Sequence, residues 1–323
     1  MNLRILSADD IEKALPMPEA IAAMQEAFAS LARGEAQMPQ RLAIRTEAGT
    51  SLFMPAYLPA GKALAQKIVS VFPHNPARGL PTISGLIIVL DADTGEPRAL
   101  LDGAALTAIR TGAASGLATD LLARPDSRIF ALIGAGGQAY QQVRAALAVR
   151  NINEIRITSK SGESAERLAQ RLRDEGVNAW ATGARQAVQG ADIITTVTDS
   201  VTPVFLDADV APGAHINLVG AYTRDMQEAP ASTIIRARVF VDDVMAAAHE
   251  AGDIIKPIRA NLYSTTELAG TLGQLLLGEV SGRQSDEEIT LFKSVGLAVQ
   301  DAAAAARALS RAEQEGLGAM IAL

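Results

Sequence analysis

The sequence predicts an α/β fold: a doubly wound parallel Rossmann sheet with a second, discontinuous α+β domain. Three observations carry this. An apolar run over 129–133 breaks into Gly134-Ala-Gly-Gly-Gln-Ala139 and continues at 140–150 with helical composition. Strand-like and helix-like segments then alternate from 127 to 240, the pattern of a parallel sheet with crossover helices. Between 41 and 101 the texture is instead short β-like runs punctuated by Pro, Gly and Asp turns, as in an antiparallel sheet.

In chain order, Ser7-Ala-Asp-Asp10 predicts a helix N-cap with acids in the first turn, and Pro16 closes that short helix. A longer amphipathic helix follows from Glu19, with Ile21, Met24, Phe28 and Leu31 on one face and Gly34 as its stop. RLAIRT, SLFMPAYL, ALAQKIVSVF and SGLIIVLDA supply the antiparallel strands. Residues 102–123 are predicted helical, and Ala104, Ala108, Gly112 and Gly116 line up as a ridge of small residues that permits close packing. After the strand at 129–133 come EIRITS, a helix over 164–175, a short strand near Ala179-Trp180-Ala181, and the strands ADIITTVT, HINLVGA and ARVFVDD. The tail from Asp286, including ITLFKSVGLAVQDAAAAARAL, is predicted as a further helix that packs back on the first domain. The expected boundaries are residues 1–119 with 291–323 for one domain and 120–290 for the other.

Bulk properties narrow the functional classes. The 323 residues carry a net charge of −7 without a basic cluster, which argues against nucleic acid as a partner. An anionic small molecule stays admissible, because local charge in a cleft outweighs the total. The chain has no cysteine, so disulfides, thiolate metal sites and cysteine nucleophiles are excluded. No apolar run approaches the ~20 residues needed to span a bilayer. Arg4, Asp9, Asp10 and Glu12 interrupt the first residues, so no secretory signal is read and a cytoplasmic location is the default expectation. His74, His215 and His249 are dispersed and predict no metal site.

The glycine-rich segment carries the clearest chemistry. Gly134 permits a sharp turn, Gly136 lets backbone approach a pyrophosphate, and Ala139 takes the third small position, where helix packs on strand. Gly137 and Gln138 complete the loop, and the helix N-terminus that follows offers free N–H groups and a positive dipole end. At the end of the second Rossmann strand an enzyme specific for NAD wants an acid for the ribose 2′-hydroxyl. Ser159-Lys160-Ser161 stands there instead, which favours the 2′-phosphate of NADPH, with NADH use also possible. Three cations occur in apolar or small-residue settings: Arg41, Lys67 and Arg110. Each alone is more often a solvated or snorkelling side chain, whereas together they would clamp a carboxylate.

MPQR (38–41), FMPAY (53–57), AQKIVSVFPHN (65–75), GLPT (79–82), DGAALTAIRTGAAS (102–115), LIGAGGQA (132–139), INLVGAY with Glu228, EAGDI (250–254) and FKSVG with Asp301 resemble the ornithine cyclodeaminase and μ-crystallin family over nearly the whole chain. The resemblance implies an NAD(P)-linked enzyme with a Rossmann domain and a substrate and dimerisation domain, the latter assembled as a homodimer. It implies that Arg41, Lys67 and Arg110 bind the substrate carboxylate, with Val295 beside them. It places Thr82, Arg110, Thr198, Val219 and Ser294 near the cofactor, together with Gly134, Gly136, Gly137, Gln138, Ala139, Ser159, Lys160 and Ser161. Cyclodeaminases resemble G-G-D or G-A-D after the VG turn, and that aspartate is their acid/base. Tyr222 occupies the position here, and Asp225 lies three residues on, as a loop surface acid or as a replacement. A phenol with an ordinary pKa of ~10 is a poor base.

The expected reaction is therefore NAD(P)H-dependent reduction of a cyclic imino acid, Δ1-pyrroline-2-carboxylate or Δ1-piperideine-2-carboxylate, to L-proline or L-pipecolate. Lys67, Arg110 and Asp225 are the candidate catalytic residues, with Lys67 or a water as proton donor. The rivals are an ornithine cyclodeaminase, an alanine-type dehydrogenase, and a non-catalytic ligand-binding protein resembling μ-crystallin in its lens role. Glu250 and Asp253 receive no role at this level.

Overall fold

The computed structural model describes residues 2–322 and divides into two units. One comprises the residues up to Arg110 with those from Leu297 onward, and the other is Thr111–Gly296.

The first unit holds a seven-stranded mixed sheet and three helices. Its elements are β1 (Asn2–Leu6), α1 (Ala8–Ala14), α2 (Met17–Ala32), β2 (Leu42–Arg45), β3 (Thr50–Leu58), β4 (Ala63–Val71), β5 (Ile83–Leu90) and β6 (Pro97–Asp102). Helix α3 (Gly103–Leu122) follows. The order is β15-β1-β6-β5-β4-β3-β2, where β15 is Ala319–Ala322. Strands β2 to β6 form an antiparallel meander, β1 adds parallel to β6, and β15 adds antiparallel to β1. Ser7 caps α1 through a reciprocal pair with Asp10, and α2 starts directly after Pro16.

Helix α11 (Ala298–Glu315) lies on β3 and β4 and against α2. Ala302, Ala303, Ala304, Ala305 and Ala308 are buried on it, and their short side chains bring its backbone close to the sheet. Strand side chains alternate between faces. Met54, Ala56 and Leu58 of β3 and Ala63 and Ala65 of β4 are accordingly buried, and the same alternation buries Lys67.

The second unit holds the parallel sheet. Its strands are β7 (Ile129–Ile133), β8 (Glu154–Thr158), β9 (Ala179–Ala181), β10 (Ile193–Thr196), β11 (His215–Leu218), β12 (Arg238–Val241), β13 (Gly270–Thr271) and β14 (Thr290–Lys293). Its helices are α4 (Ala139–Val149), α5 (Glu163–Asp174), α6 (Ala184–Val188), α7 (Ala231–Arg236), α8 (Val244–Glu250), α9 (Gly252–Arg259) and α10 (Leu272–Leu276). The order is β13-β12-β14-β11-β10-β7-β8-β9, every pair parallel. The chain winds outward through β8 and β9, then returns to β10 on the other side of β7. That reversal makes β7 and β10 the switch point where α/β sheets open a ligand crevice. The small-residue ridge of α3 is used at Gly112, where a Cβ would lie 2.6 Å from the Gln141 carbonyl oxygen.

Two expectations are corrected. The tail from Asp286 is not one helix, because 290–293 forms β14 between β11 and β12, and α11 begins at Ala298. A short apolar run buried on both faces reads equally as strand or helix, and parallel pairing decides here. The division between units consequently falls at Gly296/Leu297 and at Arg110/Thr111 rather than at 290/291 and 119/120. Strands β1 and β15 are not anticipated from sequence; they pair antiparallel with each other, and β1 also pairs parallel with β6.

Candidate active site

Lys67 and Arg110 meet in the first unit. Lys67 lies in register with Met54 on β3 and Ile87 on β5, so its ammonium leaves a buried strand face. Asp301 stands in the first turn of α11, where a carboxylate is favoured by the helix dipole. Its Oδ2 lies 2.6 Å from Lys67 Nζ, and its Oδ1 accepts from Arg110 Nε at 2.9 Å. Arg110 also donates to Gln300 Oε1 at 3.0 Å, and that oxygen takes the Leu297 N–H at 2.7 Å. Lys67, Arg110 and Asp301 are each at most 5% exposed.

Two cations thus share one buried carboxylate. Burial lowers the Lys67 ammonium to about 8; Asp301 opposes the shift, while Arg110 and Arg41 reinforce it. Burial acting alone would raise the Asp301 carboxyl, but Lys67 and Arg110 reverse this and hold it below its ordinary value. A lysine near neutrality can donate a proton, and a site with surplus positive charge can take an anion. Arg41, just before β2, is half-buried and close enough to act electrostatically on Lys67. Thr82, at a bend before β5, accepts the Phe72 N–H through its carbonyl at 2.8 Å.

In the second unit, Gly134 leaves β7 with φ +105°. A Cβ there would lie 2.5 Å from the Val197 carbonyl oxygen, so only glycine fits. A Cβ on Gly136 or Gly137 would meet nothing within 4 Å. Past Gln138, the N-cap of α4, Ala139 is buried at the helix start. A tight turn, an open cradle beside it and free N–H groups at a helix N-terminus fit a pyrophosphate. Ser159 Oγ accepts the Ala165 N–H at 3.2 Å and the Ser164 hydroxyl at 2.9 Å, so it ties the loop to the start of α5. Lys160 and Ser161 are exposed beyond β8.

Around the ends of β10, β11, β12 and β14 lies a set of buried charges that sequence reasoning did not assemble. Glu228 Oε1 accepts the Thr198 N–H at 2.6 Å and the Thr198 hydroxyl at 2.8 Å. Its Oε2 accepts the N–H groups of Gly220 at 2.7 Å and Ala221 at 3.0 Å. Asp253 Oδ1 accepts the N–H groups of Glu228 and Ala229, and its Oδ2 pairs with Lys293 at 3.2 Å. Asp242 Oδ2 accepts the N–H groups of Val295 and Gly296 and the Ser294 hydroxyl. Val219, next to Gly220, is buried and donates to the Thr196 carbonyl at 3.0 Å. Among the described residues no three His, Asp or Glu side chains gather as a metal site.

Tyr222 is half-buried, and burial, reinforced by Asp199, raises its phenol above the ordinary value. Asp225 is exposed in the turn that follows. Asp301 is the residue that sequence reasoning missed as a participant. The available signal was its i+3 position after the start of an alanine-rich helix, an acid on an otherwise apolar face.

The fold and these loops define a dinucleotide-binding α/β protein with a separate unit that buries surplus positive charge. The model of the ornithine cyclodeaminase/mu-crystallin family matches residues 1–316, and the chain belongs to that family. Among its relatives is a Delta(1)-pyrroline-2-carboxylate reductase of Bacillus cereus, 39% identical over 98% of this chain and 99% of its own. The Thermococcus litoralis Delta(1)-pyrroline-2-carboxylate reductase, solved with NADH and L-proline, superposes with TM-score 0.94 at 38% identity, covering 98% of this chain and 99% of that one. An archaeal alanine dehydrogenase dimer with bound NAD superposes with TM-score 0.94 at 35% identity and full coverage of both chains.

Proposed function

We propose that this protein reduces the C=N bond of a cyclic imino acid carrying a carboxylate next to the imine carbon, with Δ1-pyrroline-2-carboxylate as first candidate and Δ1-piperideine-2-carboxylate as second. It is an NAD(P)-dependent oxidoreductase acting on C=N bonds. The observation that carries the reading is the pairing of Lys67 and Arg110 on one buried carboxylate, Asp301. The names of the relatives support the same reaction.

Reduction adds a hydride to the imine carbon and a proton to its nitrogen, and the reduced nicotinamide supplies the hydride when bound. Arg110 and Arg41 hold the substrate carboxylate, with a guanidinium fork suited to both oxygens. Lys67, at about 8, is protonated below that pH and keeps the substrate iminium or donates the proton. Asp301 fixes both cations by direct pairing. Tyr222 stays a neutral phenol at physiological pH, which disfavours a cyclodeaminase, since that reaction needs a base.

The cofactor preference we propose is NADPH, because Lys160 and Ser161 stand where an acid would select NADH. Replacing both with alanine, while leaving Ser159 to hold α5, should weaken NADPH more than NADH; an unchanged ratio means the 2′-phosphate is read elsewhere. A cytoplasmic homodimer is the proposed assembly. Leu42, Ile44, Ile83 and Leu86 on β2 and β5 are exposed apolar side chains, the alanine dehydrogenase neighbour is a dimer, and the chain is free of cysteine.

The test is nicotinamide oxidation across Δ1-pyrroline-2-carboxylate, Δ1-piperideine-2-carboxylate and pyruvate with ammonia, beside ornithine with NAD+. Turnover of the cyclic imines with no ammonia release from ornithine is expected. Turnover of pyruvate with ammonia alone would make the protein an alanine-type dehydrogenase, and ammonia from ornithine would restore cyclodeamination, with Asp225 the first candidate base.

A further inference from the structure

Glu228, Asp253 and Lys293 are fully buried, and the reaction as described uses none of them. Groups of this kind are expensive to bury and need a reason. Their partners supply one. Both Glu228 oxygens accept two donors each, so all four acceptor positions of the carboxylate are filled and no proton can be placed on it without losing a donor. The donors belong to two separate loops, Thr198 after β10 and Gly220-Ala221 after β11. The loops are pressed together at this point, since a Cβ on Gly220 would lie 2.0 Å from the Thr198 carbonyl oxygen. Glu228 is itself held through its own N–H by Asp253, which pairs with Lys293 at the end of β14. The Gly252 N–H donates to the Thr223 carbonyl at 3.2 Å, so the 250–254 segment mounts the whole 220–229 loop.

The two latched loops lie on one side of the switch point. The glycine loop of β7 and the Ser159-Lys160-Ser161 turn of β8 lie on the other, in the half that takes the adenine nucleotide. The β10–β11 half takes the second nucleotide of a dinucleotide. We propose that Glu228 is a positioning residue for the nicotinamide half of the cofactor: its carboxylate fixes Thr198 and Gly220-Ala221 at the crevice, and Asp253 with Lys293 fixes Glu228. This rests on the reading that the chain binds a nicotinamide dinucleotide.

The test is Glu228→Gln, whose amide NH2 must face donors that meet a carboxylate oxygen in the native protein. Affinities are measured by titration without imino acid, for NADH and for ADP-ribose, which lacks the nicotinamide, with Tm recorded alongside. Unpaired buried donors predict roughly a tenfold or greater loss for NADH while ADP-ribose stays within about twofold of the native protein. Equal weakening of both ligands, or no change in either, would overturn the proposal. If Glu228→Gln does not fold, Asp253→Asn reports on the same latch one step removed and should show the same selective loss in smaller measure; an unselective loss there overturns it too. Failure of the native protein to bind either ligand would sink the dinucleotide reading, and the positioning role with it.

Discussion

The two buried charge clusters solve opposite problems. In the first unit, Lys67 and Arg110 share Asp301, so cations outnumber carboxylates and the partners are side chains. In the second, Glu228, Asp242 and Asp253 surround Lys293, so carboxylates outnumber cations and the surplus is absorbed by backbone N–H groups. Peptide N–H groups are neutral donors, here on the loops that leave the parallel strands, so an acid satisfied by them ties those loops into the scaffold. The backbone offers cations only carbonyl oxygens, and Lys67 and Arg110 instead divide one carboxylate. Their surplus charge is what an incoming carboxylate would complete. The acids held by backbone N–H groups belong to the scaffold, and the surplus charge of Lys67 and Arg110 is the part we assign to substrate.

The strongest challenge to that contrast is Asp301→Asn. It leaves Lys67 and Arg110 buried beside a neutral amide, and breaking a buried ion pair costs about 3–5 kcal/mol. Calorimetry should show a Tm drop on the order of ten degrees. An unchanged Tm would mean that these cations are not desolvated, and the contrast would fail.

Arg110→Ala comes next. It removes a fork that we assign to substrate, so kcat/KM for the imino acid should fall roughly 100-fold in a variant with native circular dichroism, since hydrogen bonds to charged groups contribute up to ~3 kcal/mol. Near-native kinetics would remove Arg110 from the site.

A pH profile sharpens the assignment of Lys67. Its ammonium is lowered to about 8, so the protonated form predominates below that pH and is lost above it. Activity that uses it should be present below about pH 8 and decline as pH rises through it. In Lys67→Arg, the guanidinium stays charged, and that alkaline limb should move to higher pH. A limb that stays in place belongs to another group.

The smallest effect concerns a buried base that serves architecture. His215 is fully buried, bonded to Thr290 and Asn217, and burial lowers it to about 3 from an ordinary 6.5. Between those values the unfolded chain takes up a proton that the folded one refuses, so stability is lost as pH falls below 6.5, with a slope approaching ~1.4 kcal/mol per pH unit. Denaturant titrations from pH 6.5 to 5 should show a shallower loss in His215→Gln than in the native protein. Equal slopes would show that His215 is not held neutral.

Local sequence determined a good deal. The strand, Gly134 turn and helix of the nucleotide loop, the capped first helix, the strands from Arg41 onward and the positions of Lys67 and Arg110 could all be read, because turn chemistry and side-chain periodicity act over a few residues. Tertiary structure decided the rest. Residues 290–293 became a strand because two parallel neighbours accept them, and β1 forms between β6 and β15, segments distant from it in sequence. Asp301 reached Arg110 across a separation of 191 residues, and Glu228 reached Thr198 across 30. Sequence can show that a charge sits on an apolar face. Which opposite charge or N–H group meets it there depends on how distant segments pack, and no local pattern encodes that.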